Sequence, residues 1–448
     1  MQFKIKSPYE GCIVGIVERT TKRELINCIN KAHFFKLDMN KRKPILKKAY
    51  KLLLKNKEDF AYTITGESGL CINQTMHEVD RSLAVLQACI KMVDLVDNVY
   101  PIKEKGLKVI SEPVDLAVAI TPFNHPLNQI IHKIGPAIVA GTSMILKPSH
   151  KTPLTAIKFR ELLTKAGLPE EFLYIVNSDK PKELVDILIK HPFVDVIMFT
   201  GGTDVGFYID KHKGPMKKYI AELGGNAALV VLDDADLDLA ARIALGAFDN
   251  SGQRCTAINS ILVHKKVADE FINKFKKETS MFKIGNPTNE IYSIGSVISE
   301  DSVLRIKKMV KKSYKNNANL VYGGSFIKTF IFPTILDNVK FNDDLVQTEV
   351  FGPIAPIVRI NNIDEAVKII KGFKYKLSGA VVTKSRKKAE YISNAIKVGQ
   401  FNWNGPPGHR TEMAPFGGFG WSGNGEKEGV YFASLNLRRI RTFYENIN

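Results

Sequence analysis

Apolar runs alternate with amphipathic segments from about residue 114 onwards. The run "VDLAVAI" is typical of a buried strand, and "LNQIIHKIGPAIVAG" after it is typical of an apolar helix. The alternation continues through "TSMILK", "TPLTAIKFRELLTKAG", "FLYIVN", "VDVIMFT" and "KKYIAEL". Strands and helices that alternate in this way predict βαβ units and a parallel, doubly wound sheet.

A second series of the same kind begins at "NAALVVLDD" and runs through the helix around "LDLAARIALGAFDN" to "AVVTK". A chain of 448 residues is too long for one small core. The sequence therefore predicts the α/β class, with two doubly wound α/β domains that join near residue 224.

Composition narrows the class of protein further. The 44% hydrophobic and 25% charged fractions are those of an ordinary globular chain. The stretch "MQFKIKSPYEGCIVG" lacks an apolar run long enough for a signal peptide, and no uncharged apolar run reaches the roughly 18 residues of a membrane span. The scattered cysteines, without CxxC spacing, are Cys12, Cys28, Cys71, Cys89 and Cys255. This usage predicts a reducing, cytoplasmic location, with no disulfide framework, no metal site and no membrane partner.

The net charge of +18 raises the question of nucleic acid. The basic residues are mostly lysines spread over predicted helices, as in "VLRIKKMVKKSYKNN", and there is no arginine-rich arm. We therefore expect a solvated lysine-rich surface, whose positive field attracts an anionic substrate. The alternatives from other classes are a nucleic-acid binder and a catalytically inactive structural protein.

Glycines and polar residues follow several of the predicted strands. The stretches "TPFNHP", "KPSHKTP", "FTGGTDVG" and "ELGGN" each come directly after one. Ligands of doubly wound sheets bind beyond the carboxyl ends of the strands, so these loops predict one shared site. Gly201 and Gly202 precede a helix and suit a phosphate, although a plain tight turn is equally open. Lys147 ends a strand, where a lysine can bind ribose or phosphate.

Three residues of these and later stretches have side chains suited to covalent catalysis. Cys255 follows Arg254, and a neighbouring cation favours the reactive thiolate, although a loop cysteine without a role is the alternative. Glu222 at a strand end suits a general base or a capping acid. Asn124 suits an oxyanion donor or simply a turn.

Taken in order, these stretches resemble the aldehyde dehydrogenase superfamily. The resemblance covers almost the whole chain and is carried by "TPFNHPLNQ", "GPAIVAGTSMILKPSHKTPLTA", "FTGGTDVG", "ELGGNAALVVLDDADLDLA", "GQRCTAI", "EVFGPIAPI" and "PFGGFGWSGNGEKEG". It implies oxidation of an aldehyde to a carboxylic acid by NAD or NADP, through a thiohemiacetal and a thioester on Cys255. Glu222 is then the general base, and Asn124 with the Cys255 backbone N–H holds the oxyanion.

The resemblance also implies an organisation and a cofactor site. The Rossmann-like cofactor domain would comprise residues 1–92 and 112–223, and the catalytic domain residues 224–425. A small β oligomerisation arm would comprise 93–111 and 426–448, giving a homodimer or homotetramer. The implied cofactor-binding residues are Thr121, Pro122, Phe123, Lys147, Ser149, His150, Gly201, Gly202, Leu223, Gly224, Glu349 and Phe351.

Within that set, Lys147 would bind the adenosine ribose, the glycine pair the pyrophosphate, and Glu349 with Phe351 the nicotinamide ribose and ring. His150 departs from the family, because members that prefer NAD often carry Glu at that position. Without a carboxylate to repel a 2′-phosphate, NADP is expected to be an acceptable cofactor, and the preference between NAD and NADP stays open. Gly202 replaces a serine that is frequent in the family.

The substrate is indicated by arginines near the nucleophile. Arg254 and Arg410, with His125 and Thr256, resemble residues of phosphonoacetaldehyde and non-phosphorylating glyceraldehyde-3-phosphate dehydrogenases, and arginine suits a phosphoryl group. We therefore predict an anion pocket and a short anionic aldehyde such as phosphonoacetaldehyde. Glyceraldehyde 3-phosphate, lactaldehyde and succinate semialdehyde stay open as alternatives. Met76 stands where related enzymes often carry Arg, and retention of Glu222 disfavours coenzyme A as the acyl acceptor.

Overall fold

The computed structural model describes residues 1–96 and 104–445 of the chain. Its helices are α1 (Lys22–Phe34), α2 (Met39–Lys55), α3 (Lys57–Ser68), α4 (Ile72–Met92), α5 (Asn128–Ala140), α6 (Leu154–Ala166), α7 (Pro181–Lys190), α8 (Thr203–His212), α9 (Leu237–Ala244), α10 (Ala268–Thr279), α11 (Glu300–Lys315), α12 (Asp344–Gln347), α13 (Ile363–Lys371), α14 (Arg386–Ile396) and α15 (Val430–Asn436).

The strands are β1 (Gln2–Lys6), β2 (Ile13–Glu18), β3 (Leu107–Pro113), β4 (Leu116–Ile120), β5 (Ser143–Lys147), β6 (Leu173–Ile175), β7 (Val196–Thr200), β8 (Lys218–Glu222), β9 (Ala227–Val231), β10 (Ile258–His264), β11 (Asn319–Tyr322), β12 (Phe326–Ile327), β13 (Phe330–Ile331), β14 (Thr334–Asp337), β15 (Ile354–Ile360), β16 (Tyr375–Lys376), β17 (Ser378–Val382), β18 (Gln400–Trp403), β19 (Phe419–Gly420) and β20 (Arg438–Tyr444).

A five-stranded parallel sheet forms the first half of the fold, in the order β6-β5-β4-β7-β8. Every residue of β4 and β5 is buried, because helices cover both faces of a parallel sheet. Leu116 and Val118 join one apolar core, and Ala117 and Ala119 join the other. The chain reverses direction across the sheet between β4 and β7, which opens a crevice at their carboxyl ends.

A seven-stranded sheet forms the second half, in the order β11-β14-β15-β10-β9-β17-β18. It is parallel except that β11 runs antiparallel to β14. Its two faces pack into two further cores. The α/β class with two doubly wound sheets is confirmed, and the predicted junction near residue 224 falls between the last strand of one sheet and the first of the other.

Strands β3 and β20 belong to neither of the two large sheets. Strand β3 pairs antiparallel with β20 from Leu107 to Pro113. They lie in the predicted arm, of which residues 97–103 and 446–448 are outside the described part of the chain. Val430, Ala433 and Leu437, which also fall within the predicted arm, instead belong to the apolar core that includes Ala117 and Ala119 of β4. No helix in the described ranges is long and apolar enough to cross a membrane.

Candidate active site

Cys255 lies in the loop that leads into β10, directly after a short 3₁₀ turn (Asp249–Gly252). Asn250 and Ser251 in that turn adopt left-handed backbone conformations, with φ of 53° and 54°. Residues other than glycine adopt this conformation at a cost that the surrounding structure must offset. A Cβ on Gly225 would overlap the Cys255 carbonyl oxygen. The neighbouring "ELGGN" loop therefore packs directly against the cysteine loop.

Asn124 follows β4 and points its amide at the same loop. Its side chain is 6% exposed, and Nδ2 donates a hydrogen bond of 2.9 Å to the carbonyl oxygen of Gln253. Asn250 Nδ2 donates in return to the Asn124 carbonyl oxygen at 3.3 Å. The amide is thus held rigidly two residues from the sulfur, as an oxyanion donor requires.

Glu222 ends β8 and shares a narrow cavity with Cys255 and Thr200. The residue is 3% exposed, and neither carboxylate oxygen has a hydrogen-bond partner among the described residues. The cavity measures about 10 Å³, roughly the space that one water molecule needs. Burial raises the pKa of Glu222 well above its ordinary value, and the nearby Glu428 carboxylate raises it further. This arrangement suits a base that takes a proton from a thiol or from water.

A buried ion pair lies behind Glu222. Lys133 is fully buried, and its Nζ contacts Glu428 and donates to Thr200 Oγ1 at 2.8 Å. Lys133 opposes the rise in the pKa of Glu222. Lys133 and Glu428 compensate each other's buried charge, and together they influence the pKa of Glu222 in opposite directions.

The thiol of Cys255 is held in its protonated form. Burial raises its pKa to about 12, the Glu349 and Glu222 carboxylates add to the rise, and Arg410 and Arg254 oppose it. The predicted effect of Arg254 thus has the right direction, but burial outweighs it. Arg254 Nη1 also pairs with Asp249 at 3.1 Å. The thiolate must therefore form by proton transfer within the site.

The glycine turn after β7 leads into α8, where Gly202 is the N-cap. A Cβ on Gly202 would have no atom within 4 Å, so the approach to the helix N-terminus is open. Gly201 donates its N–H to the Glu222 carbonyl oxygen at 3.0 Å, which ties this turn to β8. An open helix N-terminus suits the pyrophosphate of a dinucleotide, so these residues fit the predicted cofactor.

Glu349 and Phe351 lie beside the same cleft. Glu349 Oε1 accepts from the Gly225 N–H at 2.9 Å, and a Cβ on Gly224 would come within 2.6 Å of Oε2. Burial raises the pKa of Glu349 to about 7. Phe351 has a φ of 50°, and its ring meets Phe123 edge to face at 5.9 Å. The carboxylate thus packs closely against Gly224 and Gly225, and the Phe351 ring packs against Phe123.

The loops after β4 and β5 bring the remaining predicted cofactor residues to the edge of the sheet. Thr121 N–H donates to the Lys147 carbonyl oxygen at 3.2 Å, and Lys147 Nζ donates to the Pro148 carbonyl oxygen at 2.8 Å. Burial lowers the pKa of Lys147 to about 8. His150 lines a cavity formed with the N-terminal hairpin. The residues at the edge that complete the predicted set are Pro122, Ser149 and Leu223.

A wider cavity of about 370 Å³, here called the anion cavity, lies beside the nucleophile. Its charged and hydroxyl side chains include Arg81, Asp249, Arg254, Thr256, Arg410 and Glu412. Arg81 is paired with Glu412 at 3.0 Å. Arg410 stacks on the Phe416 ring at 3.7 Å and has no ion-pair or hydrogen-bond partner within residues 1–96 and 104–445. Burial lowers its pKa to about 10, so it stays charged at neutral pH.

Sequence reasoning missed Arg81 and placed His125 differently from the structure. Arg81 shares one face of α4 with His77, four residues before it, and both line the anion cavity. That spacing is a signal the sequence carries. His125 instead contacts Asn250 at 3.2 Å and lies 3.6 Å from Glu78 Oε2, and it is not among the residues that line the anion cavity.

Comparisons with known proteins agree with this geometry. A sequence model described as the aldehyde dehydrogenase family matches residues 1–439. Lactaldehyde dehydrogenase of Methanococcus aeolicus is 34% identical over 99% of this chain and 97% of its own. 3-Sulfolactaldehyde dehydrogenase of Priestia aryabhattai is 34% identical over 90% and 86%. Glyceraldehyde-3-phosphate dehydrogenase GapN of Methanocaldococcus jannaschii, solved with NADP, is 30% identical over 98% of each chain, with a TM-score of 0.93.

Proposed function

The chain belongs to the aldehyde dehydrogenase family, and from that premise we propose that it oxidises a short aldehyde with an anionic end to the carboxylic acid. The carrying observation is the anion cavity, in which Arg410 is half-buried, charged and without an ionic partner among the described residues. A half-buried guanidinium without a partner is suited to bind an anion. Phosphonate, phosphate and sulfonate groups all match its planar fork.

The reaction begins at Cys255. Its Sγ attacks the aldehyde carbon, and the thiol proton is released through the narrow cavity to solvent water, so that Glu222 stays available for the later hydrolysis. The Asn124 amide and the Cys255 backbone N–H hold the oxygen that becomes negative. Bound NAD or NADP supplies a nicotinamide ring that accepts the hydride. The acyl group stays on Cys255 as a thioester, and Glu222 then takes a proton from the water that hydrolyses it.

Several substrates fit the anion cavity. On the anionic group alone, we favour a phosphonate such as phosphonoacetaldehyde, with glyceraldehyde 3-phosphate as the second candidate because of the GapN likeness. A sulfonate or a plain 2-hydroxyaldehyde is supported by the relatives that act on 3-sulfolactaldehyde and lactaldehyde. Succinate semialdehyde would place a carboxylate against the same arginines. A panel of these aldehydes with propionaldehyde, assayed with each cofactor, ranks them by kcat/KM.

Arg410→Met tests the anion cavity. We expect kcat/KM for glyceraldehyde 3-phosphate and phosphonoacetaldehyde to fall by about 100-fold, because a charge-assisted hydrogen bond within the cavity is lost. For propionaldehyde we expect a change within about threefold. Arg386→Met, an exposed arginine paired with Glu390, is the matched control. Equal losses for charged and uncharged aldehydes would remove the anion from the proposal.

His150→Glu tests the cofactor preference. We propose that NADP is accepted because His150 replaces a carboxylate beside Lys147. The new carboxylate will repel a 2′-phosphate and bind ribose hydroxyls, so the ratio of kcat/KM for NADP over NAD should fall about tenfold or more. The ratio is measured with one aldehyde at saturation. An unchanged ratio would show that the 2′-position lies elsewhere.

We also propose the domain division given above and a cytoplasmic dimer or tetramer. The paired strands β3 and β20 expose Ile440 and Phe443, and exposed strand edges require a partner. All five cysteines are free, which suits a reducing compartment.

A further inference from the structure

His132 is a buried histidine that the proposed mechanism does not use. It is 4% exposed and lines the narrow cavity that contains Cys255 and Glu222. Its Nε2 lies 3.1 Å from Glu412 Oε2, and Glu412 lines the anion cavity. Arg410 lines both cavities. The imidazole therefore lies where the two cavities meet.

The neighbours of His132 fix its protonation. Arg81 donates two hydrogen bonds to Glu412 Oε1, at 3.2 and 3.0 Å. Burial alone would raise the pKa of Glu412, but His132 and the two arginines Arg81 and Arg410 bring it down to about 2. Burial lowers the pKa of His132. A neutral imidazole beside an ionised carboxylate is therefore present at neutral pH.

The contact with Glu412 also selects the tautomer. It places the ring proton on Nε2, facing the carboxylate, although the two atoms meet off the ideal hydrogen-bond direction. Nδ1 is then an acceptor. No residue within the described part of the chain donates to it. Nδ1 is not among the fully buried atoms without a partner, so it is accessible and free to accept from a ligand or from water.

We propose that His132 Nδ1 accepts a hydrogen bond from a hydroxyl on the substrate carbon next to the aldehyde. This rests on the proposed function, because it places the aldehyde carbon on Cys255. Cys255, His132 and Arg410 line the same narrow cavity, so the carbon next to the aldehyde lies in the cavity that His132 lines. A substrate with the hydroxyl satisfies Nδ1, and an analogue without it leaves the acceptor unpaired. Among the candidate aldehydes, this contact favours those that carry the hydroxyl, such as glyceraldehyde 3-phosphate and lactaldehyde, over phosphonoacetaldehyde, which lacks it.

Two other uncharged polar side chains line the narrow cavity. Thr200 Oγ1 already accepts from Lys133. Gln129 lies one helical turn before His132 on α5 and is the competing candidate for the hydroxyl. Gln129→Leu is therefore the matched comparison for any variant of His132.

Lactaldehyde and propionaldehyde, which differ by the hydroxyl alone, test the proposal. The wild-type enzyme should favour lactaldehyde by about tenfold or more in kcat/KM, and one lactaldehyde enantiomer over the other. His132→Leu should bring both ratios to within about twofold of one, whereas Gln129→Leu should preserve them. The leucine variant leaves the Arg81–Glu412 pair intact.

A wild-type ratio of kcat/KM for lactaldehyde over propionaldehyde near one would overturn the proposal. This measurement does not depend on whether any variant folds. Ratios that persist in His132→Leu, or that disappear in Gln129→Leu alone, would also overturn it. Both aldehydes are uncharged, so these outcomes are independent of the Arg410 experiment. If neither aldehyde nor any charged one were oxidised, the proposed function itself would fail.

Discussion

Cys255→Ala is expected to lower turnover by at least about 10⁴-fold with every aldehyde, because no other group in the narrow cavity can form the covalent bond. NADP binding, measured by quenching of tryptophan fluorescence, should stay within about twofold of wild type, because the glycine turn before α8 lies on another loop. Turnover near the wild-type rate would remove Cys255 from the mechanism.

Cys28→Ala is the matched control, since Cys28 is half-buried and lies outside both cavities. Its turnover should equal that of the wild type. Iodoacetamide provides a second readout, because only the thiolate reacts. With the pKa of Cys255 raised to about 12, inactivation of the free enzyme should be slow at pH 7 and should accelerate about tenfold per pH unit up to pH 9.

The first sheet and its loops could be predicted from the sequence. Alternating apolar and amphipathic runs gave the strands that precede Asn124, Lys147, Gly201 and Glu222. The rule that ligands bind at the carboxyl ends of parallel strands then grouped these loops. The structure brings Asn124 and Glu222 to the cysteine loop, as that rule predicts.

The second sheet does not follow the same rule. Cys255 comes before β10, and Glu349 and Phe351 come before β15, so these residues lie at the amino ends of their strands. The rule used for the first sheet predicts ligand sites at the carboxyl ends of strands and therefore does not predict a site at these amino ends. The left-handed backbone conformation of Asn250 and Ser251 could not be predicted from the sequence either, because tertiary contacts impose it against the conformational preference of these residues.

Charge pairing was the other feature beyond sequence reasoning. Arg81 and Glu412 are 331 residues apart, and Lys133 and Glu428 are 295 apart. Residues so far apart in the sequence give no spacing from which the pairing could be predicted. Only the folded structure shows which arginine lacks a carboxylate partner. Arg254, the most conspicuous cation in the sequence, is paired with Asp249, and Arg410 has no ionic partner among the described residues.

Glu222→Gln is expected to leave the first turnover fast enough to observe and to slow the steady state by about 10²- to 10⁴-fold. Glutamine matches the shape of Glu222 but cannot accept a proton. Hydrolysis of the acyl group on Cys255 needs a base that takes a proton from water. In the narrow cavity Glu222 has carboxylate oxygens that are unpaired among the described residues, whereas the other carboxylate, Glu428, is paired with Lys133. Stopped-flow absorbance should therefore show a burst of about one reduced cofactor per active site, followed by a slow phase.

The pH dependence of wild-type hydrolysis provides an independent check on the same residue. Burial and the Glu428 carboxylate raise the pKa of Glu222, so a larger fraction is protonated and inactive at neutral pH than for an exposed glutamate. The steady-state rate should therefore rise with pH until Glu222 is ionised, and this rise should be absent in Glu222→Gln.

Hydroxylamine, which attacks the thioester without a base, should restore turnover of the variant. Glu426→Gln, at an exposed glutamate near Lys218, is the control and should behave as wild type. A variant that loses the burst as well would place Glu222 before thioester formation, and one that keeps full turnover would exclude it as the base.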